Sequence, residues 1–160
     1  MKPINVGLLG IGTVGGGTWD VLNRNASEIQ RRAGRAMRIS QVADKEVRKA
    51  RSLVGKKALV TGGGFSLVED KSVDIVVELI GGYTVAKQLV LEAIRNGKHV
   101  VTANKALLAT HGNEIFKAAQ KKGVMVAFEA SVAGGIPIIK AVREGLAANR
   151  IEWIAGIING

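Results

Sequence analysis

The glycine-rich stretch near the amino terminus limits the fold of this chain more than any other feature. It consists of Gly10, Ile11, Gly12, Thr13, Val14 and Gly15. The apolar run before it, residues 4–10, predicts a β-strand, and the amphipathic pattern over residues 14–32 predicts a helix. A glycine turn between a strand and a helix is typical of a βα unit. The first glycine permits the tight turn, and the third lets the helix pack closely on the strand.

The rest of the chain repeats this alternation of short apolar runs and helix-length amphipathic segments. Further strands are predicted over residues 37–44, 73–80, 99–102, 124–128 and 151–160. Further helices are predicted over residues 84–96, with Thr84 as the N-cap, 113–122 and 137–147. The basic stretch 45–57 predicts no definite element. The pattern therefore favours an α/β fold of the Rossmann type, a doubly wound, mostly parallel sheet with helices on both faces.

The net charge restricts the partners that this chain can have. Lys and Arg number 23 against 13 Asp and Glu, which gives a charge of +10 in 160 residues and favours an anionic partner. Aromatic residues make up only 4% of the chain, and the basic residues are scattered, so nucleic acid is not expected to be that partner. A phosphate-bearing small molecule accounts for part of the charge.

Composition also bears on the compartment. The chain has no cysteine, which excludes disulfides and thiolate metal sites. No apolar run approaches the length of a membrane-spanning helix, and the amino terminus lacks the pattern of a signal peptide. A cytoplasmic location is therefore expected, without membrane attachment.

The glycine stretch also carries the first chemical signal. Gly12 would let the backbone approach a pyrophosphate, and the free amide groups and dipole of the following helix favour an anion there. The sequence therefore predicts a dinucleotide held by all six residues of the stretch, from Gly10 to Gly15. The alternative is a glycine turn that serves packing alone.

The second predicted strand ends at a carboxylate, Asp44, where the ribose of a bound dinucleotide is expected. Lys45 follows at once and could neutralise a 2′-phosphate, with further basic residues at Arg48, Lys49 and Arg51. This arrangement favours NADP slightly over NAD. The alternatives, a plain turn residue and a solvated basic loop, stay open.

Three later segments, taken in order behind the glycine stretch, resemble the homoserine dehydrogenase family. They are residues 77–82 (VELIGG), 101–109 (VTANKALLA) and 128–139 (FEASVAGGIPII). The resemblance implies that Gly81 lies near the cofactor and that Lys105 both contacts the cofactor and acts as a catalytic group. Lys105 would orient the nicotinamide and substrate and hold negative charge on a carbonyl oxygen. The alternative is a surface lysine at a helix start.

The same resemblance implies a site for a monovalent cation such as sodium. Its ligands would be the side chain of Glu129 and the backbone carbonyls of Val132, Gly134 and Ile136. Such an ion would brace a loop and perform no chemistry. Alternatively, Glu129 caps the following turn.

The resemblance further implies reversible interconversion of L-homoserine and L-aspartate 4-semialdehyde with NAD or NADP, in threonine and methionine biosynthesis. Residues 1–150 would form the dinucleotide-binding domain, and residues 151–160, which end in a segment resembling the start of the family's substrate domain, would begin that domain. A second lysine and the acidic substrate-binding residues of the family are not in this sequence, so little turnover is expected from these residues alone. The full-length protein is expected to be a homo-oligomer. The alternatives are a related reductase, of the aspartate-semialdehyde or dihydrodipicolinate type, and a non-catalytic regulatory module.

Overall fold

A computed structural model of the chain describes residues 1–157 and contains one six-stranded sheet. All pairings are parallel, and the strand order is β3-β2-β1-β4-β5-β6. The strands are β1 (Ile4–Leu9), β2 (Met37–Ala43), β3 (Leu59–Thr61), β4 (Ile75–Glu78), β5 (His99–Thr102) and β6 (Val126–Ala127). The order reverses direction between β1 and β4, so the loops after these two strands border the crevice where open α/β sheets bind ligands.

Helices connect the strands. They are α1 (Thr13–Arg24), α2 (Ala26–Ala33), α3 (Val47–Val54), α4 (Gly64–Glu69), α5 (Thr84–Arg95), α6 (Lys105–Lys122) and the short α7 (Ile138–Lys140). A 3-10 turn, Glu129–Ser131, follows β6, and a π-helical turn, Ala141–Gly145, follows α7. Within the described part of the chain, no helix is both long enough and apolar enough to cross a membrane.

Two apolar cores, one on each face of the sheet, confirm the doubly wound architecture. Alternate residues of a strand point to opposite faces. Val6 and Leu8 of β1 therefore join the core that contains Trp19 of α1, whereas Leu9 joins the core packed by α4, α5 and α6. The predicted α/β fold with a parallel sheet is correct.

The first predicted helix is divided into two. The prediction was one helix over residues 14–32, but Asn25 lies outside helical geometry, at φ −102° and ψ 18°, and separates α1 from α2. The helix α2 buries none of its residues and carries surface ion pairs from Glu28 to Arg31 and Arg32. The helix α2 contacts β2 but buries none of its own residues, so its apolar packing is too weak to keep it on the axis of α1.

Other boundaries also differ from the predictions. Thr84 is the first residue of α5 and not its cap, because the N-cap is Tyr83. The helix α6 begins at Lys105 rather than at residue 113, since the Asn104 side chain accepts a hydrogen bond from Leu107 N–H (3.0 Å) and starts the helix there. Residues 151–157 form no strand, and residues 158–160 of that predicted strand lie outside the described residues.

Candidate functional site

The glycine turn lies at the carboxyl edge of the sheet, between β1, β2 and β4. Gly10 has φ +89°, a left-handed conformation that favours glycine, and its N–H donates to the carbonyl oxygen of Ala43 at the end of β2 (2.9 Å). A Cβ atom at Gly10 would lie 3.0 Å from the carbonyl oxygen of Leu79, which follows β4. The turn is therefore fixed by contacts with both neighbouring strands.

The second and third glycines have different surroundings. A Cβ atom at Gly15 would lie 2.1 Å from the carbonyl oxygen of Gly10, so only glycine fits where α1 crosses the turn. A Cβ atom at Gly12 would meet nothing within 4 Å, and Gly12 is exposed. Gly15 is therefore needed for packing, whereas Gly12 leaves open space in front of the helix.

The start of α1 faces this open space with unpaired backbone donors. The first helical hydrogen bond runs from Gly16 N–H to Gly12 O (2.7 Å), so the amide groups of Thr13, Val14 and Gly15 precede it. The first turn contains no acidic residue, and no side chain caps it. Free amides, the positive end of the helix dipole and open space together fit a phosphate group.

Asp44 connects the end of β2 to the glycine turn. Its Oδ2 atom accepts a hydrogen bond from Ile11 N–H (2.7 Å), and its Oδ1 atom accepts one from Glu46 N–H (2.8 Å). The carboxylate is half-buried, and the neighbouring Lys45 is exposed. The structure thus places Asp44 at the end of β2 and in contact with the turn, and Lys45 is the next residue of the chain.

Gly81 and Lys105 come together at the same edge, although they follow different strands. Gly81 lies in the loop after β4, and Lys105 is the first residue of α6, just after β5; both are exposed. The side chain of Asn104 joins the two loops, because its Nδ2 atom donates to Gly82 O (2.6 Å) while its Oδ1 atom caps α6.

A buried carboxyl group beneath these loops was not singled out from the sequence. Glu78, the last residue of β4, is 0% exposed. Its Oε2 atom accepts from the Thr102 hydroxyl (2.5 Å), and its Oε1 atom accepts from Ile80 N–H (2.9 Å). Burial raises the pKa of Glu78, and the hydrogen bonds from Thr102, Ile80 and Asn104 oppose that shift. The sequence feature that could have identified Glu78 is an acidic residue directly after the apolar residues 75–77.

The predicted cation ligands share one loop after β6. The two carboxylate oxygens of Glu129 accept hydrogen bonds from Ile139 N–H and Lys140 N–H, both at 2.9 Å, so Glu129 caps the start of α7. Between Glu129 and α7 the chain passes through Ala133 at φ +54° and Gly134 at φ +59°. No group of three or more His, Cys, Asp or Glu among residues 1–157 could hold a metal ion. Each oxygen of Glu129 keeps a further lone pair, and the Ile136 carbonyl accepts a hydrogen bond from Ile138 N–H (2.8 Å).

Comparisons with known proteins agree with this geometry. The family described as "Homoserine dehydrogenase, NAD binding domain" matches residues 10–129. A homoserine dehydrogenase of Pseudomonas aeruginosa is 62% identical over 161 residues, a match that covers 100% of this chain and 36% of that protein. One of Neisseria gonorrhoeae is 63% identical over 160 residues, covering 100% of this chain and 37% of that protein.

A solved structure shows the same fold. The crystal structure of a homoserine dehydrogenase from Thiobacillus denitrificans has a TM-score of 0.93 and 66% identity, and covers 100% of this chain and 37% of that one. This chain therefore spans 36% to 37% of the length of these relatives. The family match covers most of the sequence, including the glycine turn and the loops around Gly81 and Lys105. The chain belongs to the family of homoserine dehydrogenase NAD-binding domains.

Proposed function

We propose that this chain is the cofactor-binding part of an enzyme that interconverts L-homoserine and L-aspartate 4-semialdehyde, in threonine and methionine biosynthesis. The observation that carries the proposal is the open space at Gly12 in front of the free amides of α1, in a chain of this family. The family favours this function over related reductases. Residues 1–150 would form the cofactor domain, and residues 151–160 would begin the substrate domain.

A calorimetric titration with NADPH and NADH tests the cofactor site. Gly12→Leu puts a side chain into the open space, where a Cβ atom meets nothing within 4 Å, so binding should weaken by roughly tenfold or more while the melting temperature stays nearly unchanged. Gly17→Leu is the control, because Gly17 is also exposed and open but lies further along α1. Wild-type affinity in the Gly12 variant would contradict the proposal.

The preference between NADP and NAD is proposed to depend on Lys45. The half-buried Asp44 carboxylate would accept ribose hydroxyls, and the exposed Lys45 ammonium would neutralise a 2′-phosphate beside it. Lys45→Met should therefore weaken NADPH binding and leave NADH binding unchanged. Equal loss for both cofactors would mean that Lys45 does not recognise the 2′-phosphate, and no loss for either would place Lys45 outside the site.

Lys105 is proposed to act on the substrate. The bound nicotinamide supplies or accepts the hydride. The Lys105 ammonium, at the exposed start of α6, would orient nicotinamide and substrate and hold negative charge on the carbonyl oxygen. In the protein that includes the substrate domain, Lys105→Met should lower kcat by roughly 100-fold, the scale of losing one such donor. A mutant with unchanged kcat would leave Lys105 as a surface lysine at a helix start.

The partners and location follow from the same proposal. The substrate is a small molecule, the full-length protein is a homo-oligomer, and it works in the cytoplasm without nucleic acid or membrane. The 160-residue chain alone should show almost no homoserine oxidation, because it spans only 36% to 37% of the length of its relatives. Robust turnover by the chain alone would contradict this view, whereas an inactive full-length protein that still binds cofactor would favour a regulatory module.

A sodium ion is proposed at Glu129, with the carbonyls of Val132, Gly134 and Ile136. The support is a carboxylate with spare lone pairs beside a loop that turns sharply at Gly134. Replacing choline chloride by sodium chloride at constant ionic strength should raise the melting temperature of the wild-type chain. Glu129→Gln should abolish the difference, and an equal effect of both salts would argue against the ion.

A further inference from the structure

Three polar side chains link two loops at the carboxyl edge of the sheet. We refer to Glu78, Thr102 and Asn104 as the edge clamp. Glu78 ends β4 and Thr102 ends β5, and both are 0% exposed. Asn104 lies between β5 and α6 and is half-buried. The clamp therefore extends from the interior of the sheet to the surface where Gly81 and Lys105 lie.

The contacts of the clamp are continuous. The Thr102 hydroxyl donates to Glu78 Oε2 (2.5 Å) and accepts from Asn104 N–H (3.0 Å). Asn104 Nδ2 then donates to Gly82 O (2.6 Å). One chain of hydrogen bonds thus runs from the end of β4, across β5, and back to the loop that follows β4.

Each bond fixes a different part of this surface. Glu78 also accepts from Ile80 N–H (2.9 Å), which holds the first part of the loop after β4. Asn104 holds the later part at Gly82, which has φ +76°, and at the same time caps α6 at Leu107. The relative position of the β4 loop and the first residue of α6 therefore depends on the clamp.

We propose that the edge clamp consists of positioning residues that shape the nicotinamide end of the cofactor site by holding the Gly81 loop and Lys105 in one arrangement. This inference rests on the proposed function, because it presumes that a dinucleotide lies across the carboxyl edge. The hydrogen bonds of Thr102 and Asn104 do not reach the adenosine end, because Gly12 and Asp44 are held by separate contacts.

Two kinds of probe separate the ends of the site. NADPH and NADH fill the whole site, whereas 2′-phospho-ADP-ribose and ADP-ribose lack nicotinamide and report on the adenosine and phosphate end only. Calorimetric titration of the wild-type chain gives the affinity for a dinucleotide and for the matching ADP-ribose. The difference between the two is the contribution of the nicotinamide end to the binding free energy. The experiment can therefore contradict the role of the clamp without contradicting the proposed function.

The variants remove single contacts of the clamp. Asn104→Ser retains an oxygen that can cap α6 but does not reach Gly82. Thr102→Val keeps the side-chain shape and loses the hydroxyl, and Thr102→Ser keeps the hydroxyl as the matched control. Melting temperatures of all three show whether each variant is folded, and the partly exposed Asn104 site provides the test if the buried Thr102→Val variant is not.

The expected result is a selective loss. Asn104→Ser and Thr102→Val should weaken dinucleotide binding by roughly three- to tenfold, the scale of one hydrogen bond, and leave ADP-ribose binding within twofold of wild type. Thr102→Ser should bind as wild type. The proposal for the clamp would be overturned if the variants weakened both kinds of probe equally or weakened neither. It would also be overturned if the wild-type chain bound dinucleotide no better than ADP-ribose. A wild-type chain that binds no probe would overturn the proposed function as well.

Discussion

At the scale of single residues, the three glycines of the turn have separable functions. Gly10 needs its left-handed backbone, Gly15 needs to lack a side chain, and Gly12 leaves space for a ligand. The sequence motif predicted the turn at Gly10 and the close packing at Gly15, because the spacing of the glycines reflects where the helix crosses the strand, whereas the ligand contact at Gly12 stays a prediction. The buried Glu78 was not predicted, since its partners come from a different strand and a later loop.

Gly15→Ala should destabilise the chain. The new Cβ atom would lie 2.1 Å from Gly10 O, so α1 must shift, and we expect a loss of about 1–3 kcal/mol, the usual range for overpacking. Gly17→Ala is the control and should be stabilising by about 0.5–1 kcal/mol, because this exposed helix position has open space. Urea denaturation measures both. A Gly15 variant as stable as Gly17→Ala would contradict the close contact.

Glu78 should make stability depend on pH in a predictable direction. Burial raises its pKa in the folded chain above the ordinary value of 4.5. The folded state therefore holds a proton that the unfolded state releases, and the stabilisation present below pH 4.5 is lost as pH rises through the folded pKa. The free energy of unfolding of wild type, relative to Glu78→Gln, should decrease between pH 4 and 8. A difference that is constant with pH would mean that the pKa is not raised.

At the scale of elements, predictions succeeded where a single periodic signal defined the element. The strands β1, β2 and β5 match their predicted positions closely, and so does α5 apart from its cap. The elements α3, β3 and α4 were not predicted, because β3 has only three residues and α3 lies in a basic stretch. The helix α6 starts earlier than predicted because the Asn104 side chain caps it. The same side chain also bonds Gly82, a tertiary contact that local periodicity does not reveal.

The short helix α7 should depend on Glu129. Both carboxylate oxygens accept amide hydrogens, from Ile139 and Lys140, and these residues lack other helical acceptors at the helix start. Glu129→Ala should remove the hydrogen-exchange protection of these two amides and cost about 1 kcal/mol, the typical value of an N-cap. Glu152→Ala, at an exposed position further along the chain, is the control. Unchanged protection in the Glu129 variant would show that the cap is not formed.

At the scale of the whole molecule, the fold class, the parallel sheet and the gathering of the predicted site residues at one edge were predictable. The Gly81 and Lys105 loops meet because the carboxyl ends of parallel strands share an edge, which alternation of strands and helices implies. The course of the last described residues was not predictable. The pattern over residues 151–157 is apolar enough for a strand, but no neighbouring strand pairs with it among the described residues.

The fluorescence of the two tryptophans should show that one lies in the core and the other in the exposed last part of the described chain. Trp19 lies in the core under α1 and is 6% exposed, whereas Trp153 is 78% exposed. Trp153→Phe should shift the fluorescence emission to shorter wavelength and reduce quenching by acrylamide, because only the buried indole remains. Trp19→Phe should have the opposite effect. Equal quenching of the two variants would contradict the difference in burial.

The carboxylate of Asp44 also has a consequence for protein engineering. In Rossmann folds an acidic residue after the second strand hydrogen-bonds the ribose of the cofactor, so it is an obvious position for changing cofactor preference. Here that residue also holds Ile11 N–H in the glycine turn, so its removal would release the turn. A variant at Asp44 would then pay for a new preference with weaker binding of both cofactors. Substitutions at the exposed Lys45 leave the turn intact and are the better starting point.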